Sequence, residues 1–68
     1  MKGFRVALKN EDISSIIELG DQLIWNEDFS IEDRKYVYDQ LNSRVKNYPE
    51  LKQVWEYAHF KRFGAYPE

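Results

Sequence analysis

The chain reads as an all-α protein, a small three-helix bundle preceded by a short extended arm (a possible strand). Three observations predict this. Apolar residues recur at helical spacing, about 100° per residue, in three separate stretches. Asn10 and Ser30, both good capping residues, precede the first two stretches, and Pro49 opens the third. Gly64 and then Pro67 close the last one. The 68 residues form one domain, of a size that buries only about 60% of its unfolded surface. Without cysteine it has neither a disulfide nor a Cys/His metal clip. Its stability must come from dense aromatic packing, which an aromatic content of 16% suits, or from oligomerisation.

Residues 1–9 are the arm. Phe4, Val6 and Leu8 alternate with Arg5, Ala7 and Lys9, the period of a strand. A lone strand cannot satisfy its own backbone donors, so this segment is expected to pack as an extended arm. Pairing with another chain, or entry into a helix, are the alternatives.

The first helix is expected over about residues 10–25, with Asn10 as N-cap and Glu11 and Asp12 in its first turn. Ile13, Ile16, Ile17, Gly20, Leu23 and Ile24 form its apolar stripe. Glu18 and Asp21 fall on the opposite side, as does Trp25 if the helix runs that far. The second helix, about residues 30–46, opens on the capping-box-like Ser30-Ile31-Glu32-Asp33. Its stripe is Ile31, Val37, Tyr38, Leu41 and Val45, extending toward Tyr48. Tyr36 lies off that stripe, where exposure would extend a contact patch toward Trp25 and Phe29. Pro49 disfavours helical geometry at Tyr48 and sets the next break. The third helix, about residues 49–63, has Leu51, Val54, Trp55 and Ala58 on its core face. Phe60 lies nearly opposite, flanked by Tyr57 and Phe63.

Charge is unevenly spread along the chain. Between Asn10 and Asp33 there are eight carboxylates and no lysine or arginine, so the segment balance runs +3, −8, +3. Glu11, Asp12, Glu32 and Asp33 are explained by helix starts, where the dipole favours anions. Glu18 is ordinary surface. Asp21, Glu27 and Asp28 surround Trp25 and Phe29 near the first helix's C-terminal end, where the dipole gives an anion no help. Tryptophan is enriched at binding hot spots, and a charged rim selects an oppositely charged partner and speeds its approach. Two placements are open to Trp25 and Phe29: inward, closing the bundle end, or outward, as a contact surface.

These features point to a non-enzymatic protein-binding module, an inhibitor or adaptor. Its contact surface is Asp21, Trp25, Glu27, Asp28 and Phe29, aimed at a basic surface of another protein. A structural homo-oligomer is the alternative, held by the third helix through Tyr57, Phe60 and Phe63 together with the arm. A second alternative is a weak binder of single-stranded nucleic acid through Lys52, Trp55, Phe60, Lys61 and Arg62, since such proteins set aromatic platforms beside positive grooves. The net charge of −2 opposes it.

Nothing in the pattern suggests catalysis. The one histidine, His59, has no cysteine to activate and no second histidine with which to share a metal. There is no nucleophile elbow or phosphate-cradling glycine loop, and no cofactor or metal is expected. The apolar run Val6-Ala7-Leu8 is too short for a signal-peptide core, and no stretch reaches the roughly 18 apolar residues of a membrane helix. A cytoplasmic location without a membrane partner is the expectation.

Overall fold

The computed structural model describes residues 1–68 and is all-helical, with four α-helices and no strand. The helices are α1 (Lys2–Lys9), α2 (Ile13–Ile24), α3 (Ile31–Asn42) and α4 (Lys52–Phe63), and a 3-10 turn, Pro49–Leu51, leads into α4. No helix is long and apolar enough to cross a membrane.

The expected arm is therefore a helix. Phe4, Ala7 and Leu8 are spaced i, i+3, i+4, and all three are buried. A strand would have placed Val6 on the side of Phe4 and Leu8, whereas the helix leaves it 51% exposed. Local alternation and helical periodicity were both present in this segment. Packing of Phe4 into the bundle selects the second, because a helix satisfies its own backbone groups.

The start of the next helix moves for a related reason. Asn10 caps the end of α1, and the N-cap of α2 is Asp12. The Asp12 carboxylate accepts the Ser15 N–H at 3.4 Å and the Ser15 hydroxyl at 2.8 Å. Between them α1 closes in a Schellman motif. The Glu11 N–H donates to the Leu8 carbonyl at 3.1 Å and the Asp12 N–H to the Ala7 carbonyl at 3.0 Å. Glu11 takes the left-handed position at φ 52°, where glycine is usual.

α3 begins as expected, with the Ser30 hydroxyl accepting the Asp33 N–H at 3.1 Å and Glu32 and Asp33 in the first turn. It ends at Asn42, short of residue 46, and tight turns carry the chain through Asn47. Val37 and Leu41 are buried, but Ile31, at the first turn, is 78% exposed. Pro49 opens the 3-10 turn, and Gly64 ends α4 at φ 80°.

The core joins Phe4, Leu8, Ile16, Ile24, Phe29, Val37, Leu41, Leu51, Val54 and Ala58 across all four helices and the connecting turns. Gly20 marks the tightest approach. A Cβ there would lie 3.3 Å from Val54 Cγ2 and 3.4 Å from Phe4 Cε1, so α1, α2 and α4 meet at this residue. Tyr38 packs edge-on to Phe63, while Trp55 Nε1 donates to Asn42 Oδ1 at 3.1 Å. The middle of α3 thus faces the end of α4, and the end of α3 faces its start. The two helices run antiparallel.

Candidate interaction surface around Trp25

Trp25 caps the C-terminus of α2 and is 49% exposed. It is held at three points. Its indole Nε1 donates to Asp21 Oδ1 at 3.0 Å, one helical turn back. Its ring meets Tyr57 of α4 edge-on, with centroids 5.4 Å apart. The Lys61 ammonium lies 4.9 Å from its ring centroid, within cation–π range. A half-exposed tryptophan is thus fixed in one orientation by two helices.

The next residues reverse the chain tightly. Asn26 Oδ1 accepts the Asp28 N–H at 2.8 Å and the Asn26 carbonyl accepts the Phe29 N–H at 3.1 Å. This turn leaves Glu27 and Asp28 in solvent and drops Phe29 into the core, where it is only 5% exposed. Arg34 of α3 seals it, donating Nε to the Phe29 carbonyl at 3.2 Å with its guanidinium over the Phe29 ring. Phe29 therefore leaves the expected contact surface: the asparagine turn points it inward. Trp25 and Phe29, read as a pair in the sequence, separate: Trp25 stays half exposed and Phe29 enters the core.

Beside Trp25, an open groove of about 440 Å³ runs between α2 and the start of α4. Ile17, Val54 and Tyr57 give it apolar walls, and the carboxylates of Glu18, Asp21 and Glu50 line it without any lysine or arginine. Sequence reasoning missed Glu50 and set Glu18 aside. The i, i+3 spacing of Glu18 and Asp21 is visible in the chain, but Glu50 joins them only through the packing of the 3-10 turn and α4 on α2. Lys61 over Trp25 is likewise a long-range contact with no local signature.

The residues of the alternative interface are largely engaged within the chain. Tyr57 stands between Trp25 and Tyr66, and Phe60 is stacked by Tyr66 with ring centroids 4.7 Å apart. A His59 Nδ1 to Ala65 carbonyl contact of 2.6 Å folds this tail back onto α4. Phe63 keeps about half its surface free, at 54%. Of the residues considered for nucleic acid, Lys52 is exposed, Trp55 is tied to Asn42, Lys61 lies over Trp25 and Arg62 over Phe63. Tyr36 packs edge-on to Phe4 beneath the Arg5 guanidinium. No three His, Cys, Asp or Glu side chains converge in a way that could hold a metal ion.

No family model, curated protein or solved structure matches this chain.

Proposed function

We propose that this chain is a non-enzymatic protein-binding module, an inhibitor or adaptor, that meets a basic surface of another protein through Asp21, Trp25, Glu27 and Asp28. The observation that carries the reading is the pinned, half-exposed Trp25. An exposed aromatic ring that is already ordered loses little conformational freedom on binding, which is the physical basis of an anchor residue. Glu27 and Asp28 follow it in an exposed turn, where Asn26 Oδ1 accepts the Asp28 N–H, and the acid-lined groove extends the negative field along α2. A cationic partner would be steered to this end of the molecule.

The test is affinity capture from the native cell with three baits: the wild type, Trp25→Ala, and Glu27→Lys/Asp28→Lys. Trp25 is half exposed and Glu27 and Asp28 are exposed, so all three baits are expected to fold, as circular dichroism will check. A partner retained by the wild type should be lost by both variants, with Trp25→Ala weakening binding by roughly 30-fold or more, as for a hot-spot residue. Charge reversal should slow association more at low salt than at high salt. Equal retention by all three folded baits would eliminate this surface.

A further inference from the structure

The outer face of α1 is the electrostatic opposite of the α2/α4 groove. Lys2, Arg5 and Lys9 are spaced i, i+3, i+7, which brings them within about 60° of one another around the helix. They border a shallow depression with the half-exposed Val6 and Met1, and no carboxylate lines it. The groove carries Glu18, Asp21 and Glu50 and no cation. Phe4 and Leu8 turn the other face of α1 into the core, so the basic face points away from α2. The two surfaces share no residue, with α2 between them, so one molecule cannot bring them together.

We propose that the basic outer face of α1 docks into the acidic α2/α4 groove of a second copy, giving a reversible head-to-tail association set by ionic strength. Both halves of the complementary pair are present on the one chain, which makes a second copy the occupant the charges specify. Val6 supplies the apolar centre that meets Ile17 and Tyr57, the part-exposed apolar residues of the groove wall. Arg5 already lies over Tyr36 at 4.8 Å, so Lys2 and Lys9 are the cations free to reach across. The contact is heterologous: each copy offers a face and a groove, so association extends into chains or closes into a ring. Pairs between exposed side chains are individually weak and screened by salt, so the contact is a concentration-dependent one.

Sedimentation of the full chain from micromolar to millimolar concentration tests this at low salt and at about 1 M salt, where the Debye length is about 3 Å. The mean mass should climb with concentration at low salt and return to the monomer at high salt. Lys2→Glu/Lys9→Glu and Glu18→Lys/Glu50→Lys change only exposed positions and leave Asp21 and Trp25 intact. The readout needs no other protein and Lys2→Glu/Lys9→Glu lies wholly outside the Trp25 surface, so a failure here is separable from failure of that surface. Each variant alone should stay monomeric, and mixing the two should restore association. The milder Lys2→Gln/Lys9→Gln pair should also lower the mean mass, and it serves if a reversal variant does not fold. A wild type that remains monomeric at millimolar concentration in low salt would overturn the proposal. So would folded variants that associate like the wild type, or a mixture that does not associate.

Discussion

Replacing Glu11 with glycine should stabilise the protein. Glu11 occupies the left-handed position of the Schellman motif at φ 52°, between the bonds that close α1. A side chain there crowds the following carbonyl, at a penalty of about 1–2 kcal/mol. Glycine removes that penalty but is freer in the unfolded chain, which takes back about 0.5–1 kcal/mol. The substitution also loses the exposed Tyr48 hydroxyl contact to Glu11 Oε2 at 3.4 Å, too long and too solvated to contribute more than a few tenths of a kcal/mol. The net gain is about 0.5 kcal/mol, or about 2–4 °C in Tm for a domain of this size. Glu11→Ala is the informative control, because alanine keeps the left-handed penalty and loses the Tyr48 contact. It should be slightly less stable than the wild type, leaving glycine above alanine by about 1 kcal/mol. Urea unfolding followed by circular dichroism reads this as a shift in midpoint at constant slope. Equal stability of the glycine and alanine variants would refute the assignment of strain to this residue.

Other perturbations separate the remaining parts of the account. Phe4→Ala should cost about 3–5 kcal/mol by emptying a buried aromatic site, a large part of the roughly 3–10 kcal/mol expected for the whole chain. An extended arm lying on the surface would lose far less, so a melting temperature near that of the wild type would count against α1. Gly20→Leu should destabilise by about 2–3 kcal/mol, since the new side chain has to enter space that Phe4 and Val54 already occupy against Gly20; unchanged unfolding would show that the three helices meet elsewhere. Asp21→Ala should alter stability by less than about 1 kcal/mol, because the bond it removes is exposed, yet should lower partner affinity several-fold by releasing the Trp25 indole. Affinity equal to that of the wild type would mean the Asp21 clamp is not part of the binding surface.

The signals legible in the sequence were those whose physics is local. Ser30, Pro49 and Gly64 mark ends of elements because a cap, a missing N–H and a left-handed residue act within one turn. The boundary between α1 and α2 was hidden because Glu11 performs the task usually given to glycine. Asn10-Glu11-Asp12 consequently resembled one helix start, where it is the end of one helix and the cap of the next. The arm segment carried two periodicities, and contact with Gly20, some sixteen residues away, chooses between them. The same division runs through the candidate site. The acid-flanked Trp25 could be picked out from the chain alone. Its half exposure depends on Tyr57 and Lys61 of α4, and the removal of Phe29 depends on the Asn26 turn and Arg34. Glu50 joins Glu18 and Asp21 only after the chain has folded.

Fluorescence of the Trp55→Phe protein, which leaves Trp25 as the sole tryptophan, tests the central claim most directly. Free in solution, Trp25 should emit at long wavelength and be readily quenched by acrylamide, in keeping with its 49% exposure. Saturation with the partner recovered by wild-type capture should move the emission to shorter wavelength and protect it from quenching. Binding that leaves both unchanged would place the contact elsewhere and contradict the Trp25 surface.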